Sequence, residues 1–192
     1  MEALTIVSSD PRFDALSWLI QARTLDETRP FMSGFLVEDG PSGQLWIATD
    51  GRRLHIYRSE KLSVLPPGNA RILKADRSLL IIVPNDESLG QFPNWRKVVP
   101  TLNDNAPRYE NDDGEAILIS GGFPNFKKGT RDLSALILTI AKITNRWLDA
   151  AFVLPLVGEV WQAFGDHVSP DHTAIEFQSG PKTVVIMPFE HQ

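Results

Sequence analysis

The sequence has no cysteine among its 192 residues, which excludes a disulfide scaffold, a thiolate zinc site and a cysteine nucleophile. It also has no apolar run near the roughly 20 residues of a membrane span. Its start, Met1 to Asp10, lacks the basic opening and long apolar core of an export signal. A cytoplasmic protein with no membrane partner is therefore expected. Basic charge is scarce as well, with 19 Lys and Arg against 24 Asp and Glu, a net of -5. Domains held on nucleic acid by bulk charge are usually basic, so any such contact would need a local basic face. What is present is ordinary: 42% hydrophobic and 22% charged residues, enough to bury a core without metal or cross-links.

Local patterns then divide the chain. Leu4 to Val7 is short and β-prone, and Ser9 or Asp10 followed by Pro11 signals a helix start. Phe13, Leu16, Leu19 and Ile20 recur at helical spacing, predicting an amphipathic helix from about Asp10 to Arg23. Phe31 to Glu38, Leu45 to Thr49 and Leu54 to Arg58 read as strands. Asp39-Gly40-Pro41-Ser42-Gly43 and Asp50-Gly51 punctuate them as turns. Ala70 to Lys74 and Leu79 to Val83 are two further strands. The Pro- and Asn/Asp-rich stretch from Pro84 to Arg131 reads as a connector holding one strand, Ala116 to Ser120.

From Leu133 the first pattern returns. Leu133 to Ile143 is apolar, and its periodicity fits helix or strand alike. A helical stretch from Asn145 to Leu154 stops near Pro155. Glu159 to Phe164, Thr173 to Gln178 and Thr183 to Met187 follow as strands. A strand, a helix and three strands thus occur twice, which predicts an internal structural repeat. The expected fold is α+β, two helices on a curved, mostly antiparallel sheet. It forms one domain, with a first half 1-83, a connector 84-131 and a second half 132-192.

Signals for chemistry are sparse. Asp166, His167, Asp171 and His172 form the densest set of possible ligands, but zinc needs three or four ligands converging on one point. Beside Ser169-Pro170 they read as a solvated turn. His55 and His191 stand alone. The sequence shows no nucleophile elbow, phosphate-binding glycine loop or metalloprotease helix motif. Gly121-Gly122 reads as a turn, and Asp112, Asp113 and Glu115 as carboxylates without a partner base. Trp18, Trp46, Trp95, Trp147 and Trp161 offer stacking surface for single strands, yet four lie in expected helices or strands, where packing is the default. No catalysis, cofactor or metal is assigned.

Four stretches resemble bacterial β sliding clamps, the processivity factors of DNA polymerase III, in clamp order. Arg29-Pro30-Phe31-Met32-Ser33-Gly34-Phe35-Leu36 with Leu45-Trp46-Ile47-Ala48-Thr49-Asp50-Gly51-Arg52-Arg53-Leu54 is similar to the clamp's middle domain. Phe92-Pro93-Asn94-Trp95-Arg96-Lys97-Val98-Val99-Pro100 resembles the segment leaving that domain. Asn145-Arg146-Trp147-Leu148 with Asp166 to Pro170 resembles the last helix and turn. Val184-Val185-Ile186-Met187-Pro188-Phe189 resembles the C-terminal strand. The run from Ala48 to Leu54 is the most specific of these.

The resemblance implies a DNA-clamp fold and a non-enzymatic factor that tethers a polymerase or repair protein, encircling duplex DNA without reading its sequence. Helix arginines would face phosphates: Arg12, Arg23 and Arg29 at the first helix and Arg146 at the second. A peptide pocket would be walled by Met32, Thr49, Gly51, Arg52, Arg53, Leu54, Pro93, Val98, Val185 and Met187. There a flexible methionine and apolar side chains receive an anchor, and Arg53 fixes a carbonyl or carboxylate. At about half a clamp subunit's length, this chain would close a ring only as a homo-oligomer joined through edge strands. The alternatives are a clamp-derived binding module that does not encircle DNA, and an enzyme built on the His167/His172 loop.

Overall fold

The computed structural model describes residues 2–60, 65–99, 108–110, 117–119, 162–169 and 172–187. The chain divides into two compact units, Met1–Asn94 and Trp95–Gln192. In the first, β1 (Leu4–Val7) leads into α1 (Phe13–Leu19). Then come β2 (Phe35–Gly40), β3 (Gly43–Thr49), β4 (Arg53–Ser59), β5 (Gly68–Ala75) and β6 (Leu79–Val83). These six strands lie in the order β1-β6-β5-β2-β3-β4, each antiparallel to its neighbours.

The turn residues set that order. β2 and β3 close over Pro41-Ser42 with Gly40 opposite Gly43, and β3 and β4 close over Asp50-Gly51-Arg52 with Thr49 opposite Leu54. Two glycines are required by close approach. A β-carbon on Gly34 would lie 2.0 Å from the Ala70 carbonyl oxygen, where β2 meets β5. One on Gly43 would lie 2.1 Å from the Ser59 carbonyl oxygen, and Gly43 also has φ +155.

The helix is shorter than its periodicity predicts, and local hydrogen bonding accounts for both ends. Asp10 Oδ1 accepts the Arg12 amide at 2.9 Å, so Asp10–Arg12 forms a turn and the helix starts at Phe13. After Leu19 it tightens into a 3-10 turn, Ile20–Ala22. Likewise Phe31 opens no strand. It sits in a 3-10 turn, Pro30–Met32, and β2 begins at Phe35.

Phe13, Leu16, Trp18 and Leu19 of α1 are buried, together with Ile6, Phe35, Trp46, Ile47, Leu54, Ile56, Leu80 and Ile82 from the strands. The core of this unit therefore lies between one helix and one sheet. A buried glutamine braces it. Gln44 is 4% exposed. Its Nε2 donates to the Leu65 carbonyl at 2.8 Å and to Asp39 at 2.9 Å. Its Oε1 accepts from the Leu65 amide at 2.8 Å and from Trp46 Nε1 at 3.2 Å.

In the second unit β7 (Arg108–Glu110) pairs with β8 (Ile117–Ile119). β9 (Gln162–Ser169), β10 (His172–Ser179) and β11 (Lys182–Ile186) form an antiparallel meander. The sequence signals only β8 in the connector. β7 and β8 are both three residues long, but β8 is wholly apolar while β7, Arg-Tyr-Glu, carries two charges and gives no apolar run. Asp166 and His167 lie within β9 and His172 in β10, not in a turn. The expected helix 145–154, the run 133–143 and residues 170–171 lie outside the described residues. The strand pairings described within each unit are antiparallel, as expected for the α+β fold. Among the described residues no helix is long and apolar enough to cross a membrane.

Candidate functional site

The β3–β4 turn is held by its own side chains. Thr49 Oγ1 donates to the Arg53 carbonyl at 2.7 Å and accepts the Gly51 amide at 3.1 Å. Asp50 Oδ1 accepts the amides of Arg52 and Arg53 at 2.9 and 3.0 Å. Gly51 takes φ +90, outside the range favoured by side chains. The nearest side-chain atoms on its open side are Arg29 Nη1 and Met32 Cε, 3.7 and 3.9 Å from where a β-carbon would stand, an ordinary contact distance.

Met32, Thr49, Gly51, Arg53 and Leu54 are thus brought together, by the 3-10 turn before β2 and by the β3–β4 turn. Met32 is 6% exposed and Leu54 2%, so both are buried. Arg52 is exposed at the turn. The carry-over gave Arg53 a peptide contact, but its guanidinium is already engaged. Its Nε lies 3.1 Å from Asp50 Oδ2 in a largely buried ion pair, and its Nη2 donates to the Gln21 carbonyl. Pro93 is half-buried beside buried Phe92 in the same unit. Val98, Val185 and Met187 belong to the second unit. Val185 is buried in β11, opposite Glu176, and Met187 follows that strand half-buried.

The arginines assigned to DNA differ sharply from one another. Arg12 grips Asp10 with two prongs, Nε to Oδ1 at 2.9 Å and Nη2 to Oδ2 at 2.6 Å. That pairing brings the Asp10 carboxyl down to about 2 and raises the arginine. Arg29 is exposed, 3.6 Å from Asp26. Arg23 is half-buried, and burial lowers its pKa. Arg146 lies outside the described residues.

Sequence reasoning missed two polar devices. Asp86 is 7% exposed. It accepts the Ser88 amide and hydroxyl at 3.0 and 2.6 Å and lies 2.6 Å from Arg71 Nε. His55, read as isolated, is buried and stacked on Trp18 with ring centroids 4.6 Å apart. Its Nδ1 lies 3.2 Å from the Trp18 carbonyl. Trp46 is also core, whereas half-exposed Trp95 carries the Arg96 guanidinium 4.3 Å above its ring. Among the described residues no group of three or more His, Asp or Glu is placed to hold a metal ion.

No protein-family model and no curated protein sequence matches this chain. Solved structures do match. The DNA polymerase III β subunit of Thermotoga maritima aligns with 100% of this chain and 66% of its own, at 12% identity and TM-score 0.51. A C. crescentus β sliding clamp, with polyethylene glycol at a candidate β-motif tethering region, aligns with 100% of this chain and 66% of its own, at 15% identity and TM-score 0.53. The chain spans just under two thirds of the length of these clamps, and what it shares with them is the fold.

Proposed function

We propose that the chain is a non-enzymatic, clamp-type adaptor that binds replication or repair proteins through a linear peptide. The observation that carries this reading is the apolar floor of Met32 and Leu54 under the β3–β4 turn. It has exposed Arg52 at its rim, and Met32 Cε is among the side-chain atoms nearest the open side of Gly51. An adaptable methionine beside rigid backbone suits an aliphatic or aromatic anchor. Of the remaining carried-over wall, Pro93 belongs to the same unit as Met32 and Leu54. Arg52 takes the role first given to Arg53, because Arg53 is bound within its own turn.

Titration of the full chain with a labelled peptide carrying a leucine or phenylalanine anchor tests this. Saturable binding is expected, weakened about tenfold by Met32→Ala through loss of anchor contact. Absence of saturation, or binding indifferent to the anchor residue, removes the reading. Encirclement of duplex DNA by a homo-oligomer is the second form of the proposal. Its lining is thin: Arg12 and Arg29 already face carboxylates, so the non-encircling module is the form favoured.

A further inference from the structure

A separate cleft of about 410 Å³ opens in the first unit, beside the segment between α1 and β2, where β5 runs on past the start of β2. That volume lies within the roughly 300–1,000 Å³ typical of small-ligand sites. Leu25, Pro30, Ile72 and Leu89 supply apolar lining, and Leu25 is 81% exposed. Arg23 and Arg71 also line it.

The two are not equivalent. Arg71 already answers Asp86 at 2.6 Å. Arg23 makes no ion pair or side-chain hydrogen bond among the described residues, and its Nη1 is closed off from solvent with no acceptor. A half-buried cation without a counter-charge carries a cost that an anion seated beside its open edge would reduce. Burial lowers the Arg23 pKa, the direction expected of an uncompensated guanidinium.

The neighbours narrow the anion. Ser33 Oγ donates to the Pro30 carbonyl at 2.8 Å and Ser88 Oγ to Asp86 at 2.6 Å, so neither hydroxyl proton is available. Asp26 and Glu27 also line the cleft and repel a doubly charged group. A phosphate's second charge would meet that repulsion, whereas a singly charged carboxylate matches the planar fork of one guanidinium.

We propose that this cleft binds a monocarboxylate with a short aliphatic body, its carboxylate on Arg23 and its body against Leu25, Ile72 and Leu89. This does not depend on the peptide pocket: different residues carry it, and either site can fail alone.

The test follows the arginine Nε–Hε signals of the labelled full chain by NMR during titration with 4-methylpentanoate, 4-methylpentanamide or inorganic phosphate at constant ionic strength. The expected result is a saturable shift of the Arg23 signal with the acid. The amide and phosphate should each bind at least about tenfold more weakly, since only the acid makes the charged fork. Arg23→Gln should weaken the acid by a similar factor, read from the backbone amide shifts of the cleft. An amide as effective as the acid, phosphate as tight as the carboxylate, or no saturation overturns the proposal. The acid–amide comparison uses the unmodified chain, so it decides even if the variant fails to fold.

Discussion

Asp86 shows how much a single buried carboxylate can organise. It ties the 3-10 turn Glu87–Leu89 to Arg71 of β5. The Ser88 hydroxyl and amide, with Arg71 behind them, hold its carboxyl below the ordinary range against the upward push of burial. A lowered carboxylate contributes stability fully above its unfolded value of about 4. That contribution is lost as pH falls through the lowered folded value. Asp86→Asn should therefore destabilise the chain by about 1–3 kcal/mol near neutrality. The gap to the unmodified chain should close in urea melts as pH falls below about 4 and through the lowered folded value. A gap that persists unchanged in acid would mean the carboxylate charge is not the cause. Gly34→Ala should cost about 1–3 kcal/mol by overpacking against the Ala70 carbonyl, read as a lower urea midpoint with unchanged slope. Neither effect is legible in the sequence. Asp86 reads there as part of a polar connector. Gly34 matters only because another strand passes it 36 positions further on, at Ala70.

The β3–β4 turn is a self-bonded element whose closing residue reaches out of it. Arg53 spans Asp50 and the Gln21 carbonyl, so it fastens the turn to the end of the 3-10 segment after α1. Arg53→Ala should cost about 1–2 kcal/mol by leaving Asp50 without its cation. A double-mutant cycle with Asp50→Ala should show a coupling of about 0.5–1 kcal/mol, since the pair is only partly screened. Zero coupling would place the stabilisation in the Gln21 bond alone. The strands here were readable because turn residues bracket them, and α1 was readable from Phe13, Leu16 and Leu19. Its ends were not, since Asp10 spends its carboxylate on a turn that precedes the helix. For the candidate site, the motif singled out Met32, Gly51 and Leu54. It could not show that Arg53 is already spoken for by a carbonyl 32 positions away.

At the scale of the whole molecule, a homo-oligomer joined through sheet edges would give a light-scattering mass above one chain that rises to a plateau with concentration. A mass of one chain throughout removes ring closure and leaves the adaptor. Retention on duplex DNA should be weak and should fall by about tenfold or more between 50 and 200 mM salt if only a few unpaired arginines contribute. Strong retention at high salt would restore encirclement. The first unit also carries its own signal of integrity. Trp18 lies over His55, Tyr57 sits 6.5 Å from Trp18, and Trp46 stacks on Tyr57 at 5.4 Å. Excitation absorbed by Tyr57 passes to either indole at such separations. In the native chain this tyrosine, one of only two, emits almost nothing. When β3, β4 and α1 part company the transfer ends, and tyrosine light appears beside the tryptophan band, an optical report of the helix–sheet core that needs no label.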